Sequence, residues 1–402
     1  MNVSAALDWL FSTQFFGIKL GLDNTRKLLA AAGADRINAT VVHVAGTNGK
    51  GSTCAMIEAL ARAQGYVTGL FTSPHLVDFS ERIRVNGDMI TPDALAEEIS
   101  FLKQLAEGWE QPPTFFELAL AVALRHFRKN SVNFIILETG LGGRLDATNA
   151  VPKDIAVLAP IGLDHQQYLG DTLEEIAAEK AAIIAPGKPS VTAVQHPGVM
   201  AVIERTAQNR RSPLTIARAD RKTPMPSLPG AHQRENAALA LETMRRLHAL
   251  PSPAAAALAR VQWPGRFERL ETPPLVLDGA HNEHAARVLA ATWKEEFPGR
   301  KAALVFAASA DKHIREMIPV LREIAGEWHL VPCTSPRIMP AQEMAALLAG
   351  QETGPVFIHS TLPDGLQAAL ASPFPSLAAG SLFLLGDLKA LLRHAEKRST
   401  AQ

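Results

Sequence analysis

Apolar positions along this chain fall into two rhythms that take turns. Short apolar runs at 40–45, 67–71, 134–139, 155–159 and 190–193 predict strands. Between them, 93–105, 115–128 and 172–184 carry helical patterns. This alternation predicts an α/β fold with a mostly parallel sheet covered by helices. Ligands of such sheets sit beyond the carboxyl ends of the strands. A proline-rich loop at 219–230 interrupts the series, and an amphipathic helix follows at 232–248 with Pro251 and Pro253 at its end. The alanine run 254–257 reads as plain helix. A second βα series starts after Glu271-Thr272-Pro273-Pro274, with strands expected at 275–277, 302–306, 328–331, 356–358 and 381–385. The expected division is therefore a first domain of residues 1–270 and a smaller α/β domain of 271–402. There is no internal repeat at 20–50-residue spacing.

Composition narrows the partners. The chain has 402 residues, 47% of them hydrophobic and 20% charged, an ordinary globular mixture. Forty basic residues balance forty acidic ones. No global field recruits nucleic acid or a membrane surface, so an anionic ligand must be held by local basic groups. Two cysteines, Cys54 and Cys333, lie far apart, which argues against a disulfide framework and fits a reducing compartment. No basic leader and no run of about 18 apolar residues is present, so a cytoplasmic location is expected.

Two blocks carry candidate chemistry. In the first, the strand 40–45 enters Gly46-Thr47-Asn48-Gly49-Lys50-Gly51-Ser52, and a helical pattern follows. Glycines free backbone N–H groups to turn toward an anion, the helix N-terminus adds positive potential, and Lys50 can reach terminal phosphates. Gly51 separates Lys50 from Ser52, so the loop is a variant of the usual phosphate loop. In the second, the strand 134–137 runs into Glu138-Thr139-Gly140-Leu141-Gly142-Gly143-Arg144-Leu145-Asp146. A strand-end acid suits a Mg²⁺ ligand on bound nucleotide, and a helix cap or surface acid is the plainer alternative. These glycines do not form G-x-G-x-x-G, because Leu145 occupies the last glycine's place; a hydride-transfer cofactor is thereby rejected.

Other strand ends leave alternatives open. His165 in Gly162-Leu163-Asp164-His165 suits a divalent metal or a purely structural role. Lys180, among apolar neighbours in a helical pattern, reads from its surroundings as a snorkelling or ion-paired lysine. Ser73 before Pro74 can join a metal shell or start a turn. Asp278 in Asp278-Gly279-Ala280-His281-Asn282 can serve a ligand or cap a helix.

These blocks occur in order with Thr72-Ser73-Pro74-His75-Leu76, Glu81-Arg82-Ile83, Phe115-Phe116-Glu117, Glu179-Lys180-Ala181, His232-Gln233 with Asn236, and Trp263-Pro264-Gly265-Arg266. Together they resemble the bacterial folylpolyglutamate synthase/dihydrofolate synthase family of the Mur ligase superfamily. Segments 17–22 and 380–386 look similar too, so the likeness spans nearly the whole chain.

The resemblance implies a Mur-ligase-like ATP-binding α/β domain with a mostly parallel sheet and a smaller Rossmann-like C-terminal domain, with ATP between them. It assigns Thr47, Asn48, Gly49, Lys50, Gly51, Ser52, Asn236, Arg266 and Asp278 to ATP, and Ser73, Glu138, His165 and Lys180 to magnesium, two ions being expected. Lys180 falls where family members carry a carbamylated lysine, which turns a cation into a metal-binding anion. Lys50, Glu138, His165 and Lys180 are the expected catalytic set. Segment 17–22, Arg82, Phe115, Phe116 and Glu117 fall on the pterin side, and His281 on the glutamate side. The sequence departs from the family pattern at Ala182, a usual glycine, at Ser80, and at Asp23-Asn24-Thr25.

The implied reaction is ATP-dependent joining of L-glutamate to dihydropteroate, to folate polyglutamate, or to both, through an acyl phosphate. The expected partners are these small molecules only, with the chain a monomer. A cell-wall Mur ligase is disfavoured because the phosphate loop begins at Gly46, leaving no room for a preceding substrate domain. A non-catalytic nucleotide switch would not need Glu138, His165, Lys180, Asp278 and His281 together.

Overall fold

The structure, a computed structural model, describes residues 1–16, 21–351 and 354–393. Residues 17–20, most of the segment expected near the pterin, lie outside these. In chain order the first part runs α1 (Val3–Ser12), α2 (Asp23–Ala31), β1 (Thr40–Ala45), α3 (Lys50–Ala63), β2 (Thr68–Phe71), β3 (Ile83–Val85), β4 (Asp88–Met89), α4 (Pro92–Leu105), α5 (Phe115–Lys129), β5 (Phe134–Glu138), β6 (Ile155–Leu158), α6 (Gln166–Leu169), α7 (Leu173–Ala181), β7 (Ser190–Thr192), α8 (Pro197–Asn209), β8 (Leu214–Ile216), α9 (Ala231–Arg246) and α10 (Ala254–Leu258). The second part runs β9 (Glu268–Leu270), β10 (Leu275–Leu277), α11 (Glu283–Glu296), β11 (Ala302–Phe306), α12 (Ile314–Leu321), β12 (Ala325–Leu330), α13 (Ala341–Leu348), β13 (Val356–Ile358), α14 (Leu362–Leu370), β14 (Ser376–Ala379) and α15 (Leu382–Arg393).

Among the described residues the strands make two sheets, ordered β4-β3-β2-β5-β1-β6-β7-β8 and β13-β12-β11-β14-β10-β9. The first is parallel from β2 to β8, and β3 and β4 extend it as an antiparallel edge. The second is parallel except for β9, which runs against β10. Parallel strands need covered faces, and β1, β5 and β6 are buried almost throughout. Helix starts are set by side-chain caps. Thr114 and Glu117 form a capping box on α5, and Thr172 and Glu175 form another on α7. No described helix is long and apolar enough to cross a membrane. Neither Cys54 nor Cys333 forms a disulfide.

The structure departs from the sequence pattern in three places. The run 381–385, expected as a strand, opens α15, and the strand lies just before it at β14. A short apolar run does not separate a buried strand from a buried helix; here Ser381 accepts the N–H of Leu384 and the helix continues to Arg393. The β3–β4 hairpin and β8 went unpredicted, each being two or three residues long. The second sheet begins at β9, on the first-domain side of the division expected at residue 270.

Candidate active site

The carboxyl ends of β1, β2, β5 and β6 in one sheet and of β10, β11 and β14 in the other open onto one cavity of about 1190 Å³. This volume slightly exceeds that of an ordinary single-ligand pocket.

The phosphate loop forms its floor. Gly49 sits at φ +78, a left-handed turn that glycine adopts without strain, and it begins α3. A side chain there would also strike Asn236 of α9, whose Oδ1 lies 2.6 Å from the Cβ position. Asn236 donates to Gln233, and Gln233 reaches Ser52 Oγ at 3.4 Å. The extra Gly51 is explained by Trp263: a Cβ at residue 51 would lie 2.6 Å from the indole Nε1. The interdomain segment thus packs directly on the loop. Thr47 is pinned by exchange of hydrogen bonds with the backbone of Gly162 at 3.0 and 3.1 Å. Lys50 Nζ donates to Thr47 O at 3.3 Å and lies 4.0 Å from Glu138 Oε1.

Glu138 ends β5 and is buried, with the backbone N–H of Ser73 on its Oε2 at 3.2 Å. Burial raises its pKa, only partly offset by Lys50, the Ser73 bond, Arg266 and Arg82. Such a carboxylate lacks positive charge. His165 stands in the left-handed region at φ +52, a conformation of higher energy for a side-chain-bearing residue. Burial, outweighing Asp164, lowers its imidazole to about 4, so its ring is neutral. Lys180 is buried on α7, donates to Gly46 O at 3.0 Å, and is lowered to about 7 by burial and by Lys50.

Asp164 behaves differently. Burial alone would raise its pKa, but His281, His165 and Lys312 overwhelm that and hold it well below the carboxylate range. Asp278 spends both oxygens on backbone, accepting from Phe267 N and Ala280 N at 2.9 Å each. It fixes the turn that presents Arg266, whose charge acts on Asp278, Glu138 and His232. His281 donates from Nδ1 to Gly279 O at 2.8 Å and turns Nε2 toward Asp164.

On the far side, Arg82 is fully buried, its Nε donating to His75 Nδ1 at 2.8 Å, and burial lowers it to about 9. Phe116 lines the cavity against Gly140. Phe115 does not: its ring is in the core against Phe11 and Phe79, which corrects the expectation of a substrate contact. Adjacent helical residues point about 100° apart, so Phe115 can face the core while Phe116 faces the cleft. Glu117 also lines the cavity, but its oxygens are taken by Thr114, Thr25 and Asn24. The departure at residues 23–25 thus supplies the groups that tie α2 to this carboxylate. Except for Leu22 and Phe115, the described residues expected at the site line this one cavity.

Sequence reasoning missed Lys312 and His284, and gave His232 and Trp263 no role of their own. Lys312 lies in the loop after β11, in Asp311-Lys312-His313, as His165 lies in the loop after β6. Trp263 entered only within a motif of the resemblance, with nothing in its spacing to show the phosphate loop beneath it.

The Mur ligase middle domain matches residues 44–223, and the Mur ligase glutamate ligase domain matches 265–376. The dihydrofolate synthase/folylpolyglutamate synthase of Bacillus subtilis is 35% identical, covering 96% of this chain and 98% of that protein. The chain belongs to this family of Mur ligases. With the family comes the reaction class, an amide ligase. The fold is likewise that of Escherichia coli FolC in complex with DHPP and ADP, at a TM-score of 0.87, 28% identity, and coverage of 98% of this chain and 99% of that one. A bifunctional folylpolyglutamate synthase/dihydrofolate synthase with Mn, AMPPNP and L-glutamate bound matches at 0.86 and 29% identity over 98% of each chain.

Proposed function

We propose that this ligase uses ATP to join L-glutamate to the carboxylate of a pterin acid, accepting both dihydropteroate and the γ-carboxylate of a reduced folate. The observation that carries the reading is the gathering of Lys50, Glu138, His165 and Lys180 from one sheet with Asp278 and His281 from the other around one cavity. The first domain serves ATP and the pterin, and the second serves glutamate.

A carboxylate oxygen of the acid attacks the γ-phosphorus as the bond to the bridging oxygen of ADP breaks. The glutamate amine then attacks the acyl carbon, gives up a proton, and expels phosphate as the amide forms. Two anions must approach one another, so positioning and charge neutralisation dominate. Lys50 and the N-terminus of α3 hold the phosphates. Thr47, Asn48 and Ser52 shape that loop, Asn236 supports it from α9, and Arg266 adds charge from the hinge. Phe116 and Arg82 bound the pterin side.

The donor set suits magnesium. Glu138 is buried with too little positive charge around it, and His165 is neutral with a lone pair to give. Ser73 and Glu138 would hold one ion, and His165 with a carbamylated Lys180 a second. Among the described residues no group of three or more His, Cys, Asp and Glu could hold a metal alone, so an ion held here would need further ligands from the nucleotide. Bound there, the ions offset charge between acid and triphosphate. A buried amine lowered to about 7 is substantially unprotonated at neutral pH, the form that adds carbon dioxide to give a carbamate and a proton.

Phosphate release tests the proposal. It should require a pterin acid and L-glutamate together; release indifferent to both acceptors would leave a nucleotide hydrolase or switch instead.

A further inference from the structure

The two domains meet through two kinds of contact. Around Gly265 the contact is apolar: Leu76 and Val77 of the first domain pack with Leu277, Leu384 and Leu385 of the second. Such contacts are not directional and set no register. Across the cleft, the contact is polar and centres on Asp164, in the loop after β6. Lys312 Nζ, from the loop after β11, donates to Asp164 Oδ1 at 2.5 Å. Asn282 Nδ2 donates to Oδ2 at 3.3 Å, and His281 Nε2 lies 3.5 Å from the same oxygen. Asn282 also exchanges hydrogen bonds with Asn48 of the phosphate loop at 3.2 and 3.4 Å, and Asn48 reaches His284 Nδ1 at 2.9 Å.

Asp164 and Lys312 expose only 7% and 9% of their side chains, so this ion pair is shielded from water and salt. A buried pair is costly to break because the survivor is left charged and unmatched. Its two members come from different domains and are 148 residues apart. Breaking it therefore weakens the polar contact between the domains at a point outside both sheets.

We propose that Lys312 is a positioning residue of the ligation: by clasping Asp164 it fixes the second domain against the phosphate loop and sets the two halves of the split site in register. The pair acts through the Asn282–Asn48 bonds beside it, which carry the register to the loop. The inference rests on the reaction proposed above only for its kinetic consequence; the closure itself is a matter of geometry.

The test compares Lys312→Met, Lys312→Arg and the double variant Lys312→Met/Asp164→Asn with the parent. The double variant leaves no unmatched buried charge. Small-angle scattering of the ligand-free proteins should show a larger radius of gyration for both methionine variants, and the parent's radius for Lys312→Arg. Turnover should fall roughly ten- to a hundredfold in the methionine variants, as expected for ångström-scale misplacement. KM for the pterin acid, bound within the first domain, should change little, and Lys312→Arg should recover most of kcat. Unchanged scattering in both methionine variants would overturn the proposal. So would unchanged scattering with a raised KM for glutamate, which would make Lys312 a substrate contact. If the parent itself shows no glutamate-dependent phosphate release, the reaction fails while the scattering comparison still decides the clasp.

Discussion

Glu138 and Asp164 are both buried carboxylates at strand ends of the same sheet, yet the protein treats them in opposite ways. Glu138 has one ammonium at 4.0 Å and one backbone N–H, and although Arg266 and Arg82 also act on it, burial still raises its pKa. Asp164 is met by Lys312, Asn282 and His281, and its pKa is pushed far down. The loop after β5 is thus left wanting a cation, whereas the loop after β6 is already satisfied by the other domain. Burial alone does not mark a functional acid; the degree to which its charge is answered by the protein does.

The sharpest way to break this comparison is to remove the unanswered side. Lys50→Ala and Glu138→Ala should each lower turnover about a hundredfold or more, the roughly 3–4 kcal/mol typical of one lost transition-state contact. Circular dichroism should show both variants folded; near-parental rates in either would remove its assignment. On the answered side, Asp164→Asn should cost about 1.5–3 kcal/mol of stability, the scale of hydrogen bonds to a charged group, read by denaturant unfolding. Glu138→Gln should cost nothing measurable, because it deletes a charge that burial penalises. Equal losses in these two variants would erase the distinction. Gly51→Ala should destabilise by about 1–3 kcal/mol through the clash with Trp263. Adding Trp263→Leu should restore much of that loss in thermal melts.

The smallest effect concerns pH. His43 on β1 is buried, with Nε2 2.7 Å from Thr148 Oγ1, and burial aided by Lys153 holds its pKa well below the ordinary imidazole value. Below about 6.5 the unfolded chain therefore binds a proton that the folded chain refuses. This contribution to stability is fully present above that pH and is lost as pH falls below it, by at most about 1.4 kcal/mol per unit. His43→Gln should flatten the fall of Tm between pH 6.5 and 5; an unchanged slope would assign the loss to other groups.

Much of the first domain was legible in the sequence because its apolar runs are flanked by turn residues. Residues 40–45 form β1 without adjustment, and the phosphate loop follows where the glycines put it. The run 381–385 was misread because four apolar residues in a row carry no period. At the site, strand-end chemistry made Glu138 and His165 candidates, each beside a plainer structural reading. Lys180 became legible only through family resemblance, since its helix gives it apolar neighbours and no visible partner. Phe115 and Phe116 could not be told apart without knowing which side of α5 meets the core. Lys312 and Trp263 depend on how the domains meet, which is information no local pattern holds.

Mass analysis of the products tests the central claim most directly. The purified protein is given ATP and L-glutamate with dihydropteroate in one reaction and a reduced folate in another. Each acid should gain the mass of glutamyl residues, with one ADP and one phosphate formed per bond. ATP consumption with both acids recovered unchanged would contradict the account.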